Sequence, residues 1–167
     1  MAIGIDKLSF YTSEYVLDLV ELAQQRGVDP NKYTIGIGQD KQSVIPNYED
    51  VVTMGANAAA KIIDNDDRQQ IDLIIFATES GIDNSKSSAL YVQKLLNLSE
   101  FSRTIEIKQA CYAGTFGLMQ ARDYVASHSG KRVLVIASDI ARYGLNTPGE
   151  VTQGGGAVAM IVSESPH

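Results

Sequence analysis

Cysteine occurs once in the 167 residues, at Cys111. A single thiol closes no internal disulfide, so the chain fits a reducing cytoplasm rather than an oxidising compartment. Histidine occurs twice, at His128 and His167, and no Cys/His cluster has metal-ligand spacing. Lys and Arg number 14 against 20 acids, a net charge of −6, and they form no extended run. Nucleic acid and anionic membrane surfaces are therefore not the expected partners. No apolar stretch approaches the length of a membrane span. The opening Met1-Ala2-Ile3-Gly4-Ile5-Asp6-Lys7 carries an acid where a signal peptide would carry basic residues. The glycines of Thr34-Ile35-Gly36-Ile37-Gly38 are not followed by Gly-Lys-Ser/Thr, so they are no phosphate loop and read best as a turn.

What remains is an ordinary globular composition, 44% hydrophobic and 20% charged, in a chain long enough for one domain with a real core. Two nearly continuous apolar stretches, 71–78 and 132–138, have the signature of strands buried on both faces of an α/β sheet. A first strand is expected over 3–11 and a last one from Gly154. Helices are expected over 14–25, with Ser13 as N-cap and Gly27 as terminator, and over 47–63, capped by Asn47 or Asp50. The small residues 54–60 predict that this second helix is buried. A third helix runs from Ser87-Ser88 to Leu98 with Leu90 and Leu95 facing in, and a fourth over 112–127. Residues 64–68, Asp-Asn-Asp-Asp-Arg, read as an exposed loop of solvated charge. Residues 146–153 read as a polar loop. Strands and helices alternate throughout, which argues for a layered α/β sheet. The run Gly154-Gly155-Gly156 lets the backbone come close to something, either a neighbouring element or a ligand.

Chemistry concentrates where strands end. Thr104 to Ile107 read as a strand, and helical spacing begins at Tyr112, so Cys111 sits at a strand-to-helix corner. A thiol there feels the free N–H groups and partial positive charge of a helix N-terminus, which favour thiolate. The alternative is a small buried hydrophobe, the usual state of a lone cysteine. Glu79 follows the 71–78 strand directly, at the edge where open α/β sheets carry their chemistry. Partial desolvation there would suit it to acid/base work; otherwise it is a solvated loop or capping residue. The 132–138 strand delivers Asp139, Arg142 and Tyr143 to the same edge. His128, in Ser127-His128-Ser129-Gly130, reads as a helix-terminal residue rather than a catalytic one.

Three groups of residues taken together resemble the hydroxymethylglutaryl-CoA synthase family, of the bacterial mevalonate-pathway type. They are Ala77-Thr78-Glu79-Ser80, then Gln109-Ala110-Cys111-Tyr112-Ala113-Gly114, and then Ala137 to Tyr143 with Thr152 to Met160. Ile3-Gly4-Ile5-Asp6 and the segment from Gly27 to Tyr33 are similar to that family as well. The resemblance covers essentially the whole chain, in order. It implies a thiolase-like fold, here one βαβαβαββ half: a mixed five-stranded sheet with helices on both faces. It implies Cys111 as the nucleophile that takes an acetyl group from acetyl-CoA, and Glu79 as general acid/base for condensation with acetoacetyl-CoA. It places Asp139 and Tyr143 around the acyl site, and Asp29, Asn146 and Thr152 at substrate or CoA positions. By itself, Asp29 before Pro30 reads as a turn former. No metal or organic cofactor is implied, since CoA is carried by the substrates. A cytoplasmic homodimer is the expected form.

The chain departs from the family in length, since members are about twice as long. It therefore resembles the N-terminal half, with the C-terminal half absent, and the family's catalytic histidine comes from that other half. Neither His128 nor His167 lies in a matching motif. Gly114-Thr115-Phe116 is a lesser departure. Two other readings follow: a ketoacyl synthase of the same superfamily, which needs no glutamate at Glu79, or a non-catalytic half. A half-sheet without its partner would expose apolar surface and self-associate.

Overall fold

The computed structural model describes residues 2–166. It opens with β1 (Ile3–Tyr11), β2 (Tyr15–Asp18), α1 (Leu19–Arg26), α2 (Asn31–Thr34), β3 (Lys41–Val44), α3 (Val51–Ala60) and α4 (Asn65–Gln70). There follow β4 (Ile71–Ala77), α5 (Ser88–Leu95), β5 (Arg103–Ile107), α6 (Ala113–Ser127), β6 (Arg132–Ala141), a 3-10 turn (Glu150–Thr152) and β7 (Gly154–Glu164). Five strands form one sheet in the order β1-β7-β6-β4-β5, and β2 pairs with β3 apart from it. β4 is parallel to both β5 and β6, whereas β7 is antiparallel to β6 and β1. The expected mixed five-stranded sheet with helices on both faces is what the chain forms.

The strand period of two divides the core into two layers. Ile74, Phe76, Leu134, Ile136 and Ile161 face α3 and α5, packing on Met54, Ala58, Ala59, Ala89 and Val92. Ile75, Val133, Val135, Met160 and Val162 face α6, packing on Ala121 and Val125. β4 and β6 are central, so both of their faces are dry, and their apolar stretches follow from that. The small residues of α3 have the expected cause. A Cβ at Gly55 would lie 2.9 Å from both Ile136 and Phe76, so the helix backbone rests directly on the sheet. Asp50 caps α3 in a capping box with Thr53, settling the choice left open with Asn47. Within the glycine run a neighbouring element approaches the backbone, for a Cβ at Gly155 would lie 2.4 Å from Ile45.

Four expectations fail. Residues 14–25 are not one helix. Ser13 Oγ accepts from Tyr15 N at 3.2 Å, and Tyr15 to Asp18 pair antiparallel with β3. The helix starts only at Leu19, where the Asp18 carboxylate accepts from Val20 N at 2.9 Å and Glu21 N at 3.3 Å. Tyr-Val-Leu supports a strand as readily as a helix, and the partner strand lies far along the chain. Gly27 does end α1, at φ 63. Residues 64–68 are not a solvated loop. Asp64 caps α4, and Asp67 is fully buried between Lys7 Nζ at 2.7 Å and Arg132 Nη1 at 2.7 Å. Arg132 also reaches Asp6 at 3.2 Å, and Lys7 reaches Asp64 at 2.6 Å. The third helix is shorter than expected, and Leu90 and Leu95 are exposed rather than inward. Finally, the 146–153 loop holds the 3-10 turn with Glu150 buried. Residues 35–38 form the expected turn, with Gly38 N donating to Tyr33 O at 3.1 Å. Among the described residues no helix is long and apolar enough to cross a membrane.

Candidate active site

The site is built from the C-terminal ends of the three parallel strands. β4 is dry through Ala77, and Thr78 is still 1% exposed, so the chain can turn only after its last buried residue. The turn puts several backbone N–H groups at the sheet edge, and these need acceptors. β6, in register with β4 at Ala77 and Ala137, brings the acceptor two residues later. Asp139 Oδ1 accepts from Glu79 N at 2.9 Å, Ser80 N at 2.9 Å, Ser80 Oγ at 2.6 Å and Thr78 Oγ1 at 3.1 Å. Ser80 Oγ in turn accepts from Ile140 N at 2.9 Å. The Asp139 carboxylate is thus engaged in fixing the backbone from which Glu79 projects.

β5 supplies the other half of the pair. It runs parallel to β4 on the side away from β6, and Thr78 N donates to Ile107 O at 3.2 Å. Ala110 then adopts φ 46, a left-handed conformation that a non-glycine residue rarely takes, and this reverses the chain at Cys111. α6 begins two residues later, and no side chain caps it. Its start is held instead by backbone, with Ala113 N donating to Ala110 O at 3.1 Å and Tyr112 N to Gln109 O at 3.2 Å. α6 is held against the sheet through Gly117, where a Cβ would approach Ile75 to 3.2 Å.

Cys111 Sγ lies 4.0 Å from Glu79 Oε1, within reach of a weak S–H···O contact. Both residues are exposed, so the alternative of a small buried hydrophobe does not describe Cys111. Nor is Glu79 taken out of water by this chain, against the expectation of partial desolvation.

The remaining candidates lie on the connection between β6 and β7, and on that between α1 and α2. Tyr143 is exposed, and its N–H, with that of Gly144, donates to Gln153 Oε1 at 2.8 and 3.1 Å. Asn146, at φ 58, donates its N–H to Glu150 Oε2 at 3.0 Å. Thr152 Oγ1 donates to Gly149 O at 3.0 Å. Asp29 accepts from Asn31 N at 3.0 Å, a turn-forming contact. The Arg26 guanidinium grips the buried Glu150 with two bonds, at 2.7 and 2.8 Å. It holds the Glu150 carboxyl below the usual carboxylate range. This ion pair joins the helix ahead of Asp29 to the loop of Asn146 and Thr152. Nothing in the sequence marked Glu150, Arg26 or Gln153, because their partners are defined only by the fold. His128 ends α6, its Nδ1 2.9 Å from Tyr124 O and its ring stacked on Tyr124 at 4.0 Å, as a helix-terminal histidine. Among the described residues no group of three or more His, Cys, Asp or Glu could hold a metal ion.

Residues 1–166 match the family model described as hydroxymethylglutaryl-coenzyme A synthase N terminal. The chain belongs to the hydroxymethylglutaryl-CoA synthase family. It is 51% identical over its whole length to the hydroxymethylglutaryl-CoA synthase of Enterococcus faecalis, covering 44% of that protein. It is 42% identical to the synthase of Haloferax volcanii, covering 39% of it. A crystal structure of the synthase complexed with CoA superposes with TM-score 0.98 at 48% identity, over 99% of this chain and 43% of that one. A synthase in complex with 3-hydroxy-3-methylglutaryl coenzyme A gives TM-score 0.92 at 46% identity, over 98% of this chain and 40% of that one. The fold is thus the thiolase-like fold of these synthases. The chain spans less than half the length of the relatives it matches.

Proposed function

We propose that this chain carries the nucleophile and the acid/base of a hydroxymethylglutaryl-CoA synthase, and that the C-terminal half of the family completes the site. The observation that carries the reading is the pair Cys111 and Glu79, 4.0 Å apart at one sheet edge beside an uncapped helix N-terminus. Cys111, its proton passed to water, attacks the carbonyl of acetyl-CoA as a thiolate beside the helix N-terminus. The thioester C–S bond breaks, CoA leaves as its thiolate and is protonated by water, and an acetyl group remains on Cys111. Glu79, as a carboxylate, removes a proton from the acetyl methyl. The carbon adds to the ketone of acetoacetyl-CoA, and the new alkoxide takes a proton from a group outside this chain, the histidine of the other half. Water then cleaves the Cys111 thioester and frees hydroxymethylglutaryl-CoA. First-turn N–H groups of α6 are suited to the oxyanions formed at the acetyl carbonyl. Asp139 and Tyr143 border the acyl group, and Asp29, Asn146 and Thr152 border the CoA substrates. CoA enters as substrate and no further cofactor takes part. The setting is a cytoplasmic homodimer in the mevalonate route to isoprenoid precursors.

Incubation with acetyl-CoA followed by mass spectrometry tests the reading. An acetyl increment on Cys111, missing from Cys111→Ala, is expected; no increment in the complete enzyme overturns it. A ketoacyl synthase of the same superfamily would condense without Glu79, so unchanged condensation in Glu79→Gln would favour that reaction. A second reading, a non-catalytic half, is favoured by one observation: His128, engaged with Tyr124, is not placed as an active-site histidine. Failure to take up acetyl, with normal folding, would support it.

A further inference from the structure

The loop that presents Glu79 leaves β4 and re-enters the fold at α5, and each end of it meets a carboxylate from a neighbouring strand. At its start this is Asp139 of β6. At its return it is Glu106 of β5, whose Oε2 accepts from Ser88 N at 2.6 Å, the first residue of α5. Glu106 Oε1 lies against the backbone of Gly81, where a Cβ would come within 2.6 Å of it. A side chain at position 81 would therefore displace the carboxylate. Glu106 and Cys111 belong to one short segment, strand and corner, five residues apart. The Glu106 bond consequently ties the loop of the base to the segment of the nucleophile. The loop between the two ends, 79–87, is mostly exposed; its own contacts, Ser85 N and Lys86 N to Asp83 and Lys86 over the Tyr91 ring, lie at its far side from Glu79 in the chain.

We infer that Glu106, seated against Gly81, is a positioning residue that sets the Glu79 carboxylate relative to Cys111. This rests on the reading of Glu79 as the base. Acetylation of Cys111 needs the thiol and the α6 N-terminus. Condensation needs in addition that Glu79 reach the acetyl methyl. Misplacing a catalytic group by about 1 Å costs on the order of 100-fold. Loss of Glu106 therefore acts on the second step and spares the first.

In the complete synthase, single-turnover acetylation and condensation are measured for Glu106→Ala, Glu106→Gln, Gly81→Ala, Glu79→Gln and Glu79→Gln/Glu106→Ala. Glu106→Ala and Gly81→Ala are expected to lower condensation roughly 10- to 100-fold while acetylation stays within about twofold. Glu106→Gln keeps an acceptor for Ser88 N and is expected to retain most of the rate. The double variant is expected to be no slower in condensation than Glu79→Gln alone. Equal loss of both steps in Gly81→Ala, no loss in either of the first two variants, or an additive loss in the double variant would overturn the inference. Should Glu106→Ala fail to fold, Gly81→Ala and Glu106→Gln carry the test. Full condensation in Glu79→Gln would instead sink the reading of Glu79, and is told apart by that variant alone.

Discussion

The two ends of the central sheet use charged residues in opposite ways. At the end where β4 and β6 begin, Asp67 is fully buried and lies between Lys7 and Arg132, with Asp6 and Asp64 completing the set. Each cation there faces two carboxylates. At the end where the same strands finish, Asp139 is saturated by donors of the Thr78-Glu79-Ser80 turn, while the Glu79 and Cys111 side chains stand exposed, 4.0 Å apart. A buried, mutually satisfied cluster resists change, because removing one partner strands the others in a medium that solvates them poorly. An exposed pair costs little to maintain. The difference teaches that here buried, mutually satisfied charge and exposed polar groups are kept at opposite edges of one sheet, with Asp139 fixing the turn from which Glu79 projects.

That contrast can be broken most sharply at the sulfur. Cys111→Ala should abolish acetyl uptake altogether while leaving the denaturation midpoint unchanged, read by mass spectrometry and urea unfolding. Next, Glu79→Gln should lower condensation about 10²- to 10⁴-fold, the usual worth of a positioned acid/base, again with no change in unfolding. At the opposite edge the pattern should invert. Asp67→Ala leaves Lys7 and Arg132 without their shared buried partner and should cost about 3–5 kcal/mol in urea unfolding. Acetylation per folded molecule should be unaffected. The smallest effect should be that of pH on the loop joining β6 to β7. Arg26 lowers the folded pKa of Glu150. Its contribution is therefore fully present above the ordinary glutamate value of about 4.3 and is lost as pH falls through the lower folded value. Melting followed from pH 7 to pH 3 should show this loss only in the acid part of the range, and Arg26→Gln should flatten it. Lys7 has the opposite sign. Bonds to Asp64 and Asp67 raise its pKa, so its contribution holds below the ordinary lysine value of about 10.4 and disappears as pH rises through the raised one.

Much of the frame was legible in the chain because it rests on local pattern. The apolar stretches of β4 and β6 announce strands dry on both faces, and the Gly-Ala run of α3 announces a helix lying close on something. The corner at Cys111 was legible because the period changes from two to helical within a few residues. Glu79 was legible because it directly follows the apolar, buried stretch that ends at Thr78. The failures share a cause. Tyr15 to Asp18 become a strand because Lys41 to Val44 lie beside them. Asp67 is buried because Lys7 and Arg132 arrive from 60 and 65 residues away. Glu150 is buried because Arg26 reaches it across 124 residues. In each case a polar or ambiguous segment was decided by a partner that local pattern does not contain.

By itself, then, the sequence determined the alternation of strands and helices, the dry centre of the sheet, and the placement of one thiol and one carboxylate at the ends of successive strands. These depend on periodicity, on apolar content and on the helix N-terminus that follows Cys111, all local quantities. Only the tertiary structure decided which carboxylates work as structure. Asp139, Asp67, Glu106 and Glu150 are all acids near polar residues in the sequence. Their roles part once folding supplies a different set of donors to each, since a carboxylate's part is set by the N–H groups and cations that reach it through space.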